Sequence, residues 1–121
     1  MKNERLSRNF KRGEFACRCG CGFDTVDHRL VEGLQRLRDI VGEPIHVNSG
    51  CRCAAHNAAI GGSPRSQHLV GKAADITIRN YRPALVASLA STLAEFADGG
   101  IGIYQSFTHV DVRNGRSRWS L

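Results

Sequence analysis

The stretch VDHRLVEGLQRLRDIVG spaces Leu30, Val31, Leu34, Leu37, Ile40 and Val41 three and four residues apart, with charged residues between them. That period predicts an amphipathic helix buried along one stripe. Asp27 or Thr25 can cap its start, and Gly42 can stop it. A second helical pattern runs through RPALVASLASTLAEFADGG, with Pro83 near the first turn, Leu85, Val86, Leu89, Leu93 and Phe96 on one side, and glycines at the end. Between the two, a short strand is predicted over residues 45–48, where Ile45 and Val47 share a face. A short helix follows over residues 53–59, closing at Gly61 and Gly62. In AADITIR the period is two: Ala73, Asp75 and Thr77 lie on one face, Ala74, Ile76 and Ile78 on the other. GIGIY and FTHVDVR read as further strands, with Thr108, Val110 and Val112 alternating with His109, Asp111 and Arg113. The Asn114-Gly115 pair before RSRW predicts a hairpin.

The first fifteen residues are polar and basic and are expected to form an arm, followed by the turn segment CRCGCGFD, with no core element before it. The pattern therefore predicts an α+β fold: a small, mostly antiparallel sheet packed on two main helices, in a single domain over residues 1–121 with an arm and cysteine-rich turn at 1–24. The sheet's uncovered face is polar and carries Asp75 on one strand and His109 with Asp111 on another.

Composition narrows the classes. Among 121 residues, 41% are hydrophobic and 23% charged, ordinary values for a globular chain, and no run approaches the roughly 20 apolar residues of a membrane span. No membrane insertion is expected, and a monomer is. The opening MKNERLSRNFKRGEF lacks the apolar core of a signal peptide, so synthesis in the cytoplasm is expected, with action on a cell wall requiring another route of release. The net charge of +6 favours anionic surroundings. Its basic residues are spread along the chain and only 7% of residues are aromatic, which argues against a nucleic-acid platform.

Five cysteines fall in two groups, Cys17, Cys19 and Cys21, then Cys51 and Cys53. The odd count excludes complete internal pairing, and the i, i+2 spacing differs from common zinc ribbons. Free thiols, a bridge between the groups and a structural metal cluster all remain open.

His68, Asp75 and His109 are the ligand types of a catalytic zinc site, which takes three protein ligands and leaves a fourth position for water. The segment SQHLVGKAAD resembles the SxHxxGxAxD motif of the M15 zinc peptidases, the D-Ala-D-Ala carboxypeptidase and L,D-endopeptidase group, whose fold is shared with the hedgehog signalling domain. EFACRCGCG, SGCRCAAHNAAIGG and GGIGIYQSFTHVDVRNGRSRW resemble the small branch of this family often found in phage genomes, in the same order. The resemblance implies Zn2+ held by His68, Asp75 and His109, with Arg52 as a substrate or transition-state contact and Ser66 and Gln67 beside the substrate. It also implies hydrolysis of a peptide bond in the peptidoglycan stem, by carboxypeptidase or endopeptidase action, as in a phage lysis enzyme or a virion-associated protein.

One position departs from the family. Many relatives carry an acid three residues before the last histidine ligand, where this chain has Ser106. Asp111 is the nearest carboxylate. It is expected either to act as the general base or to orient a ligand and pair with Arg113. The departure also leaves a second reading, a zinc-containing module that binds cell wall without hydrolysis. His28 and His46 read as surface residues, His56 as structural, and Trp119 as packing over the sheet edge.

Overall fold

The computed structural model describes residues 2–121. Arg5–Ser7 (β1) and Phe10–Lys11 (β2) pair antiparallel, and a turn of 3-10 helix follows at Arg12–Phe15. This corrects the expected arm. Phe10 and Phe15 are buried with their rings 6.0 Å apart, and the hairpin is tied to the first long helix by Ser7 Oγ donating to Gln35 Oε1 at 2.7 Å. Two aromatic residues in a basic segment are enough to dock it, since burying each phenyl ring contributes about 1.5–3 kcal/mol.

That helix, α1 (His28–Val41), forms as its spacing predicts. Asp27 Oδ1 accepts from the Arg29 amide at 2.8 Å, and Gly42 stops it at φ 68°, a left-handed conformation costly for other residues. Leu30, Val31, Leu34 and Leu37 are buried, whereas Ile40, expected on the same stripe, is exposed. Ile45–Ser49 forms β3, Ala54–Ala59 forms α2 and Ala73–Ile78 forms β4.

The second helical pattern is not one helix. It breaks into α3 (Pro83–Ala90) and α4 (Ala94–Ala97), with Leu93 extended between them. Ser91 Oγ donates to the Ser88 carbonyl and Thr92 Oγ1 to the Leu89 carbonyl, both at 2.7 Å. Hydroxyls that take up carbonyls in this way compete with continuation of the helix.

Gly100–Ile103 (β5), Thr108–Asp111 (β6) and Ser117–Ser120 (β7) complete a five-stranded sheet in the order β3-β4-β6-β5-β7. All neighbours are antiparallel except β5 and β7, which run parallel. The hairpin predicted at Asn114-Gly115 therefore does not form. Both edges of β6 are taken, by β4 and β5, so the chain after the turn passes to the free edge of β5. Ala74, Ile76, Ile78, Val110 and Ile101 point into one core with α1, α3 and the two phenylalanines of the N-terminal segment. Among the described residues, no helix is long and apolar enough to cross a membrane.

The opposite face holds a row of directly opposed residues: Ser49, Asp75, His109, Gly102 and Trp119, one from each strand. Opposed residues in a sheet project to the same side. Two of the candidate site residues, Asp75 and His109, stand on this row.

Candidate metal centre and cleft

Asp75 and His109 meet because β4 and β6 pair in the register that sets them opposite each other. His109 Nδ1 is 3.0 Å from Asp75 Oδ1. His68 reaches the same oxygen from outside the sheet. Ser66 Oγ accepts from the His68 amide at 3.1 Å and opens a turn of 3-10 helix, Gln67–Val70, which brings His68 Nε2 to 3.2 Å from Asp75 Oδ1. His68 is thus set in a structured turn and is 2% exposed.

The second nitrogen of each imidazole fixes which atom faces Asp75. His68 Nδ1 lies 2.6 Å from the Gly50 carbonyl, which can only accept, so Nδ1 carries the proton and Nε2 presents a lone pair. His109 Nε2 lies 2.7 Å from Asp111 Oδ2, so the neutral ring offers Nδ1. Two imidazole lone pairs and a carboxylate oxygen thus converge. Tetrahedral zinc, with ligands at about 2.0–2.1 Å, sets its donor atoms about 3.3–3.4 Å apart. The separations of 3.2 and 3.0 Å fit such an ion after little adjustment.

Charge follows the same geometry. With a proton in place of an ion between the imidazoles and the carboxylate, burial acts to raise the Asp75 carboxyl, but its contacts with the rings of His109 and His68 outweigh it and hold the group down to about 2. For His109, burial acts to lower the imidazole, yet Asp111 and Asp75 raise it above its ordinary value. Asp111 is also buried, which acts to raise it, and His109 and Arg113 together keep it well below the usual carboxylate range.

Of the two roles expected of Asp111, the geometry favours orientation. Its side chain has no exposure and lies under His109. Besides the His109 contact, Oδ1 accepts from the Gly100 amide at 2.8 Å and the Arg113 amide at 3.1 Å, and the Arg113 guanidinium clamps both oxygens at 2.7–3.0 Å. Ser106 is exposed. Among the described residues lining the cleft, Asp75 is the sole carboxylate.

Arg52 stands on the other side of Asp75. Its Nη2 donates to Asp75 Oδ2 at 3.3 Å, Nη1 to Asn57 Oδ1 at 3.2 Å and Nε to Ser49 Oγ at 3.2 Å, while its amide donates to the His68 carbonyl at 2.9 Å. A guanidinium has five N–H donors, so these three side-chain bonds leave two. Ser66 and Gln67, with Arg52, line a cleft of about 440 Å³ that opens onto the three candidate ligands.

The sequence patterns missed several contributors. Buried Asn57 holds Arg52 and donates to the Ser63 carbonyl at 2.9 Å; its place in SGCRCAAHN was the available signal. Tyr104 and Phe107, read as strand ends in GIGIY and FTHVDVR, lie just outside β5 and β6 and stack with centroids 4.4 Å apart at the cleft wall. Trp119 does more than cover an edge: its ring lies 5.0 Å from His109, Arg113 sits over it at 5.3 Å, and Nε1 donates to the Tyr104 hydroxyl at 3.0 Å. Gly102 makes this possible, because a Cβ there would collide with the indole. His28 is exposed near Glu32, and the His56 amide donates to Cys53 Sγ. Cys17, Cys19, Cys21 and Cys53 gather together, whereas the Cys51 thiol turns away and donates to the Phe23 carbonyl at 3.2 Å.

A family model described as Peptidase M15 matches residues 8–111, a span that takes in His68, Asp75, His109 and Asp111. The chain belongs to the M15 peptidase family. Among curated relatives, the zinc D-Ala-D-Ala carboxypeptidase of Streptomyces albus G is 33% identical over 90 residues, which cover 72% of this chain and 35% of that protein. The chain therefore spans only part of that relative's length. Family membership agrees with the α+β architecture and with a donor set suited to Zn2+.

Proposed function

We propose that this protein is a zinc peptidase that hydrolyses a peptide bond in the peptidoglycan stem. The convergence of His68 Nε2, Asp75 Oδ1 and His109 Nδ1 at the head of an open cleft carries the reading. Family membership and the relative that acts on D-Ala-D-Ala support its substrate class. Zinc at these three residues supplies Lewis acidity and lowers the pKa of coordinated water.

The chain's own residues supply position and charge. The Gly50 carbonyl and Asp111 each hold one imidazole in the tautomer that faces Asp75. Arg52 keeps Asp75 in place and lines the cleft with two N–H donors uncommitted, which a peptide carbonyl or terminal carboxylate can accept. Tyr104, Phe107 and Trp119 give the cleft an apolar wall for the peptide. The positive net charge suits an anionic wall, and release during phage lysis is one route by which the protein reaches it.

The test is digestion of purified muropeptides by zinc-loaded protein, with products mapped by mass spectrometry. New amine and carboxyl ends in the stem peptide are expected, and their loss in His68→Ala together with zinc. Intact muropeptides in the presence of fully zinc-loaded protein would remove the hydrolase reading. Because Asp75 is the sole carboxylate among the described cleft residues, a wall-binding module without turnover is the second reading. Saturable binding of uncleaved fragments would support it.

A further inference from the structure

Away from the cleft, the second ligand group among the described residues is made of sulfur alone. The Sγ atoms of Cys17, Cys19, Cys21 and Cys53 all lie within 4.8 Å of one another, with Cys17 to Cys19 at 3.5 Å and Cys19 to Cys53 at 3.7 Å. With a Zn–S distance of about 2.3 Å, a tetrahedral four-thiolate site places its sulfurs about 3.8 Å apart. A disulfide needs about 2.05 Å and joins only two of them. All five cysteines are unbridged.

The surroundings suit thiolates. The Phe23 amide points at Cys21 Sγ, the Cys53 amide at Cys17 Sγ and the His56 amide at Cys53 Sγ, each at 3.4 Å. Backbone N–H donors stabilise negative sulfur and orient it, as partners outside the ligand set do around metal centres. The backbone is wound to present the sulfurs: the Cys17 amide donates to the Phe23 carbonyl at 2.8 Å, closing a loop around Cys19 and Cys21. Cys17 and Cys53 face the protein, while Cys19 and Cys21 are exposed, which leaves a path for an ion to enter.

We propose that Cys17, Cys19, Cys21 and Cys53 hold a structural Zn2+ in a four-thiolate site separate from the His68, Asp75 and His109 centre. Cys51 takes no part, since its thiol is committed to the Phe23 carbonyl. The ion fastens the N-terminal segment to the loop that supplies Arg52 and the Gly50 carbonyl, one residue and three residues before Cys53. It therefore bears on the cleft without touching it.

Metal analysis of the full chain, purified under reducing conditions, tests this. About two zinc ions per wild-type chain are expected, about one each in His68→Ala and Cys21→Ser, none in the double variant, and about two in Cys51→Ser. Cys21 is exposed and its replacement removes no packing. Independently of any cysteine substitution, Co2+ added to His68→Ala after its zinc has been stripped should produce the near-ultraviolet sulfur-to-cobalt charge-transfer band. A chelator should then make four thiols alkylate faster while the Cys51 thiol changes little. One zinc per wild-type chain that survives Cys21→Ser, an absent cobalt–thiolate band, or a disulfide within the group after reducing purification would each overturn the proposal. None of these results depends on whether the cleft cleaves peptidoglycan.

Discussion

Replacing Asp111 by asparagine keeps the shape of the side chain and removes its charge. In the wild type, Oδ1 meets the Gly100 amide and the Arg113 amide and guanidinium, and Oδ2 meets His109 Nε2 and Arg113. Every neighbour is a donor, so an amide NH2 must face a donor whichever way it turns. With its oxygen toward Gly100, the NH2 meets His109 Nε2 and forces that nitrogen to accept. The proton then moves to Nδ1, the atom that faces Asp75.

Loss of such an orienting partner lowers metal affinity by about 10–100-fold, or about 1.4–2.8 kcal/mol. Breaking a buried ion pair at one end costs about 3–5 kcal/mol, and the partial exposure of Arg113 puts the stability loss near or below the lower figure. Zinc titration against a competing chelator, thermal melting and turnover at saturating zinc separate these effects. The orienting role predicts weakened zinc binding and turnover that recovers when zinc is saturating. If Asp111 is instead the general base, zinc affinity stays as in the wild type and kcat falls by about 10²–10⁴. That second pattern would refute the assignment made from its burial and hydrogen bonds.

Phe10→Ala should destabilise the fold by about 3–5 kcal/mol in chemical denaturation, because the ring is buried against Phe15; a free arm would show no change. Gly102→Ala should push the indole of Trp119 off His109, costing about 1–3 kcal/mol and shifting tryptophan fluorescence, and an unchanged emission spectrum with full stability would contradict the close packing. Zinc affinity at the cleft should fall as pH falls. His109 must lose a proton to offer Nδ1, and Asp111 and Asp75 raise its pKa, so competition from protons begins at higher pH than for a free imidazole. Calorimetric titration across roughly pH 5–8 reads this directly, and a flat profile would exclude His109 as a ligand.

Periodic patterns are local, and what depends on them was legible in the chain. The stripe of α1, its Asp27 cap and Gly42 stop, and the alternation that puts Asp75 opposite in sense to Ala74 and Ile76 all follow from neighbours within a few residues. The candidate ligand trio was legible as residue types on a motif and on a separate polar strand face. Other features were decided over long separations. The docking of Phe10 and Phe15 depends on a helix and sheet far along the chain, and β7 joins β5 because β4 and β5 already occupy β6. Even the split between α3 and α4 turned on two hydroxyls taking carbonyls that the apolar spacing alone assigned to a continuous helix.

The site shows the same division. Residue order alone supplies His68, Asp75 and His109 as zinc-type donors and sets Asp111 on one strand face with His109. Only strand register placed Ser49, Asp75, His109, Gly102 and Trp119 in one row, and only the closed packing beneath that row turned Asp111 away from the cleft and toward the imidazole. Register is set by which strand edges are free and which face must be buried, and those are properties of the assembled sheet, absent from any single segment.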